Sequence, residues 1–259
     1  MITEEIIQAF RTDFKYYLKP FLSEHYKDDI NVLRNIIHTE KVVENILILA
    51  DSLELSENEK HTAEVVGLFH DIGRFWILQH EQSEGKGIDH AEASIEYLST
   101  NNTFISLDES VKNILIEIIR NHHLPEIPIK ENGIVLFFSR LLRDADKLDI
   151  WRSTTDYLIN RKKSSNMARE LNLSEKPVAT DSFCQIIIEG AIPSKKDLVT
   201  FSDFLIYQMS WVFDLNFRKS YQLLNQRQYI RYIYDALPKS DKVFEIYRMI
   251  KIHIENKIL

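Results

Sequence analysis

The sequence predicts an all-α protein folded as a single helical domain, and three observations predict it. Glycine and proline number only six each in 259 residues, too few to punctuate many strands. Long stretches repeat apolar residues at three- and four-residue spacing, the pattern of amphipathic helices. No alternating apolar–polar run is long enough to trust as a strand, and Asn-Gly, the strongest hairpin signal, occurs once, at Asn132-Gly133.

Each element follows from its own residues. The start, MITEEIIQAFRTDF, is acidic and amphipathic. A helix opening at His38 carries Val42, Val43, Ile46, Leu47 and Ala50 on helical spacing. Ala63 to Ile72 is apolar nearly all round, which predicts a buried central helix. Gly73 follows it, where a C-terminal glycine is expected. Asp89 and Glu92 resemble an N-cap pair for a helix running to about Leu98. Val111, Ile114, Leu115, Ile118 and Ile119 mark the next helix, which Pro125 and Pro128 close. Val135, Phe138, Leu141, Leu142 and Ala145 mark another. Beyond Trp151 the pattern continues through Leu198–Asn216 and Arg218–Ala236. Phe183–Ile188 reads as a short strand or a buried helical turn, and the polar Ser164–Thr180 as a loop or lid. The aromatic stretch from Trp211 to Tyr221 is expected in the core. There is no repeat, no low-complexity tract and no convincing linker, so residues 1–259 are expected to form one domain.

Composition narrows the function classes. The chain is 44% hydrophobic and 27% charged, as ordinary globular proteins are. A single cysteine, Cys184, rules out an intrachain disulfide and suits a reducing compartment. The net charge of −7 argues against a broad basic face for duplex nucleic acid. Arg161-Lys162-Lys163 reads as solvated loop or as a local phosphate contact. The N-terminus lacks the basic start and apolar block of a signal peptide. No apolar run reaches the ~18–20 residues that span a bilayer. The expectation is a soluble, cytoplasmic protein with no membrane partner.

The chemistry lies in the histidines. His25, His61, His80 and His253 sit in polar contexts and are assigned no role. In GLFHDIGRF, His70 and Asp71 stand side by side in apolar sequence, and buried charged groups need a partner. One reading is a hydrogen-bonded His–Asp pair; the other is that both meet a metal ion at a helix end. His122 continues the inward stripe of its helix, and His123 lies at that stripe's edge. His38 and His90 stand at helix starts, where side chains line clefts. RDADKLDIW offers Asp144, Asp146 and Asp149, and the helical stripe points Asp149 further inward than Asp146. Mixed imidazole and carboxylate ligands suit Mn, Fe, Co, Ni or Zn better than Ca or Mg. Six ligands exceed the need of one open ion, and two ions sharing Asp71 fit better. Such a pair can hold a bridging hydroxide and clamp a phosphoryl group.

The ordered segments IIHTEKVVENI, GLFHDIGRF, IDHAEASIEYL, IRNHHLPEIP and LLRDADKLDIW, from Asn35 to Trp151, resemble the HD-domain metal-dependent phosphohydrolases, and specifically their two-metal branch. The resemblance implies a helical HD core at about 30–151 with a C-terminal helical extension at 152–259. It implies that His38, His70, Asp71 and Asp146 hold one divalent transition-metal ion. Asp71 would bridge to a second ion held by His90 and His122, with His123 a further candidate. The resemblance, and not periodicity, selects Asp146 over Asp149. Arg74 stands where many relatives carry lysine, and either cation can bind phosphate. Lys147 is a second phosphate candidate, or else a partner for Asp144 or Asp149. The Gly-Tyr-Pro signature of the cyclic-dinucleotide branch is absent after His122-His123, which disfavours cyclic-di-GMP. The region after Trp151, including SWVFDLNFRKSYQLL, is similar to uncharacterised bacterial HD proteins.

The expected activity is hydrolysis of a nucleotide or another small phosphate ester by a phosphomonoesterase or phosphodiesterase, with Asp71, Arg74 and Lys147 as its catalytic residues. A homo-oligomer is compatible with the sequence. Two alternatives remain at this point: a di-iron oxygenase built on the same fold, and a regulatory module with an idle metal site.

Overall fold

In the computed structural model of the chain, residues 2–23, 26, 29–80, 89–128, 133–160 and 167–259 are described, without the side chains of His80 and Glu170. His25, Asn132 and Arg161–Lys163 lie outside the described residues. Every regular element among the described residues is a helix, and extended chain pairs only at an isolated parallel bridge, Ser174 to Thr200. The expected fold class, all-α, is what forms. None of these helices is long and apolar enough to cross a membrane. The chain divides into two compact units, Met1–Asp146 and Lys147–Leu259.

The first unit is built from α1 (Glu4–Leu18), α2 (Ile30–Ser52), α3 (Glu57–Phe69), α4 (Ile72–His80), α5 (His90–Thr100), α6 (Glu109–Asn121) and the first half of α7 (Gly133–Asn160). Caps start the helices locally. Asp29 accepts from the Asn31 and Val32 amides at the start of α2, and Asp89 does the same for Ala91 and Glu92 on α5. The Ser56 amide donates to Glu59 at the start of α3. Phe10 and Phe14 of α1 meet Phe69 of α3 edge to face, and Phe10 also meets Phe104. Arg11 grips Glu64 of α3 through two hydrogen bonds, of 2.5 and 2.6 Å. His61, expected at the surface, is instead buried. Its Nδ1–H donates to the Ile2 carbonyl at 2.8 Å, and its Nε2 lies 3.1 Å from the Glu4 carboxylate.

The central helix is not one helix ending at a glycine. α3 ends at Phe69, and α4 begins at Ile72. Among described glycines only Gly190 has a positive φ, so Gly73 is no left-handed cap. Gly73 is needed for a different reason. A Cβ there would lie 2.3 Å from both the His90 carbonyl oxygen and the Ser94 amide nitrogen of α5. The first turns of α4 and α5 touch backbone to backbone, which only glycine permits. Gly73→Ala is therefore expected to push these helices apart, at about 2–4 kcal/mol of unfolding free energy. A urea midpoint within experimental error of the native one would contradict this packing.

The second unit holds the end of α7, α8 (Met167–Glu170), α9 (Asp181–Ile188), α10 (Phe201–Ser210), α11 (Arg218–Gln226), α12 (Tyr229–Ala236) and α13 (Asp241–Ile258). Phe183–Ile188, left open between strand and helix, is helical. The stretch read as a loop or lid is pinned over its described part. Ser174 exchanges backbone hydrogen bonds with Val199 and Phe201, and the fully buried Asp203 carboxylate accepts from the Thr180 amide and hydroxyl. Trp151 donates to the Gln208 carbonyl at 3.1 Å, and Tyr221 to Leu215 at 2.8 Å, both from buried rings; of the Trp211–Tyr221 aromatics expected in the core, Tyr221 is buried and Trp211, Phe213 and Phe217 are half-buried.

Candidate metal centre

Five elements of the first unit send side chains to one point. α2 supplies His38 from its third turn, not from a helix start as expected. The break between α3 and α4 supplies His70 and Asp71, which explains how adjacent residues converge: here the chain leaves helical register. α5 supplies His90 as its first residue, α6 supplies His122 as its C-cap, and α7 supplies Asp146.

The Asp71 carboxylate is the middle of the cluster and is 2% exposed. Its Oδ2 lies 3.3 Å from His38 Nε2 and 3.6 Å from His70 Nε2. Its Oδ1 lies 3.6 Å from His90 Nε2 and 3.7 Å from His122 Nε2. Asp146 Oδ1 is 3.2 Å from His38 Nε2, and the Nε2 atoms of His38 and His70 are 3.3 Å apart. Two groups result, His38–His70–Asp146 and Asp71–His90–His122, each with its ligand atoms within 4.8 Å of one another. One oxygen of Asp71 faces each group.

The protons show what these groups lack. His122 Nδ1 is 2.6 Å from the Ile119 carbonyl oxygen, and His70 Nδ1 is 2.8 Å from that of Gly67. A carbonyl only accepts, so each Nδ1 carries the proton and each neutral ring presents a bare lone pair at Nε2. Those lone pairs face Asp71, whose Oδ1 is buried with no hydrogen-bond partner. Acceptor facing acceptor in a buried site is costly unless a cation lies between them. The donor set, imidazoles with carboxylates, suits a transition ion. The residues fit one or more divalent ions.

The electrostatics keep the ligands in binding form. Burial holds His70, His90 and His122 below the usual histidine range, His122 at about 3, against the opposing pull of Asp71. Burial works against ionisation of the carboxylates but is outweighed. Arg74, His70 and His38 keep Asp71 well below the ordinary range, and His38 brings Asp146 to about 2. The sign for stability follows. Below pH about 6.5 the unfolded chain protonates histidines that the native chain keeps neutral, in the case of His122 down to about 3, so stability falls as pH drops below about 6.5. The urea midpoint of chelated protein is expected to be lower at pH 5.5 than at pH 7.5. An equal or higher midpoint at pH 5.5 would contradict the buried, neutral histidines.

The remaining sequence-selected residues have other partners. Arg74 Nε donates to Asp71 Oδ2 at 2.5 Å, while its side chain remains 41% exposed. His123 Nε2 pairs with Asp89 Oδ2 at 3.0 Å and joins neither ligand group. Lys147 belongs to the second unit, where its ammonium is bound to Asp214. Asp149 is fully buried and pairs with Arg152 at 2.6 Å.

Three supporting residues escaped the sequence reading. Asn45, two turns beyond His38, donates to the Ala145 carbonyl at 3.2 Å, next to Asp146. Buried Arg143 donates to the carbonyls of His122, Leu124 and Pro125 and so fastens the end of α6 to α7. Ser94 joins α5 to the His70–Gly73 turn. Their only signal was position, one or two helical turns from a candidate ligand.

No curated protein and no solved structure matches the chain. One family does, and its matched stretch contains all six converging side chains. That family is the HD domain, whose model matches residues 35–151.

Proposed function

We propose that the protein is a metal-dependent phosphohydrolase of a nucleotide or another small phosphate ester, working with two divalent transition ions. One observation carries the reading: each oxygen of the buried Asp71 carboxylate faces its own pair of imidazoles. In this reading His38, His70, Asp71 and Asp146 hold one ion, and Asp71, His90 and His122 hold the other. Such ions supply Lewis acidity toward phosphoryl oxygen and a water activated at neutral pH.

The chain's own groups do the rest. The Nδ1–H bonds to Ile119 and Gly67 fix the rings of His122 and His70 in the tautomer that leaves Nε2 free. Arg74 spends its Nε on Asp71 but keeps two further NH2 groups on a partly exposed side chain. Those groups are the ones assigned to a substrate phosphate. Lys147, held by Asp214, is assigned no catalytic role.

The test is a screen of phosphomonoesters, nucleotides and phosphodiesters with Mn, Co, Ni, Fe, Zn and Mg. Turnover that depends on a transition ion is the expected result. No turnover with any of them, or oxygen consumption by an iron-loaded protein acting on an organic substrate, would replace this reading.

A further inference from the structure

Ser94 is fully buried on α5, one helical turn past His90. Its Oγ accepts the Gly73 N–H at 2.9 Å. The same oxygen lies 2.8 Å from the His70 carbonyl oxygen and 2.9 Å from that of His90. A hydroxyl has one proton to give, so it serves one of these carbonyls at a time while it receives the Gly73 amide. Three backbone groups thus meet on one side chain. Two of them, at His70 and Gly73, flank Asp71; the third belongs to His90. The helices can come this close because Gly73 lacks a Cβ, which would sit 2.3 Å from the His90 carbonyl oxygen.

We infer that Ser94 is a positioning residue that sets the register between the His70–Gly73 turn and the His90 end of α5, and so assembles the Asp71–His90–His122 ion site. This rests on the two-ion reading above. Ser94 also meets the His70 carbonyl, but the His70 ring keeps its own bond to Gly67, and His38 and Asp146 of that group come from α2 and α7, to which Ser94 does not bond, so the effect falls mainly on the His90 side. Losing the hydroxyl leaves the buried Gly73 amide without its partner and frees His90 to shift relative to Asp71. The other ion keeps His38, His70, Asp71 and Asp146.

The experiment titrates chelated full-length protein with Mn2+ by calorimetry and records the visible spectrum with Co2+. Native protein, Ser94→Ala and Glu64→Gln are compared. Glu64→Gln breaks the Arg11 pair between α1 and α3 and so controls for general loosening. Native protein and Glu64→Gln are expected to bind two ions. Ser94→Ala is expected to keep the tighter ion within about three-fold and to weaken the second by at least about ten-fold, with a changed Co2+ spectrum. Two native-like ions in Ser94→Ala would overturn the inference. So would an equal loss at both sites, or a loss that Glu64→Gln reproduces. A native protein that binds fewer than two ions would overturn the two-ion reading itself, before any variant is compared. If Ser94→Ala loses its helical signal, Ser94→Cys is titrated in its place: a thiol is a weaker donor and acceptor than a hydroxyl, so weakening confined to the second ion is expected, and native-like binding of both ions or an equal loss at both would overturn the inference.

Discussion

Asp71→Ala is expected to release both ions and to lower turnover by about three orders of magnitude or more, the equivalent of roughly 4 kcal/mol of transition-state stabilisation. No other side chain in the cluster faces both ligand groups through separate oxygens. Removing it leaves four imidazoles and one carboxylate, and no link between the two groups. Asp71→Asn separates charge from shape. It keeps the volume and one carbonyl oxygen but loses the charge and the second ligating oxygen. The expected product is a protein that binds one ion weakly and turns over poorly. Metal analysis and steady-state rates on both variants check this. Full activity in Asp71→Ala would mean that the reaction does not use this cluster.

Arg143→Ala carries the largest effect expected away from the ligands. The buried guanidinium donates to three carbonyls at and beyond the end of α6, where His122 sits as the cap residue. These carbonyls have no continuing helix to bond to, so the arginine satisfies acceptors that would otherwise be orphaned. Its loss is expected to cost about 2–4 kcal/mol of stability and to weaken ion binding by about 10–100-fold through His122. Urea unfolding of the chelated protein and calorimetric titration report the two effects separately. Native-like values in both would show that α6 holds His122 without this clamp.

Several features of the site were legible in the chain, and the reasons differ by residue. His122 was placed by periodicity because α6 is amphipathic, with Leu115, Ile118 and Ile119 buried on the same stripe. Asp146 could not be placed that way. α7 is buried nearly all round at this point: Asp144, Ala145, Leu148 and Asp149 are all fully buried, so no stripe exists to choose among the carboxylates. What marks Asp146 is a tertiary contact, His38 at 3.2 Å, whereas Asp149 pairs within its own helix with Arg152. Gly73 was misread for a similar reason. A glycine after a buried helix looks like a cap, but its use here is the close approach of α5, which no local pattern encodes. His61 looked polar and exposed because the residues that cover it come from the start of the chain. The bond from Lys147 to Asp214 could not be read from the chain, because Asp214 lies far along it.

The measurement that bears most directly on the account is the metal content of the native protein and of Asp71→Asn, determined by elemental analysis after purification without chelator and loading with Mn2+. Two transition ions per chain in the native protein, and one or fewer in Asp71→Asn, is the predicted result. One ion or none in the native protein, or two retained in Asp71→Asn, would contradict a site bridged by Asp71.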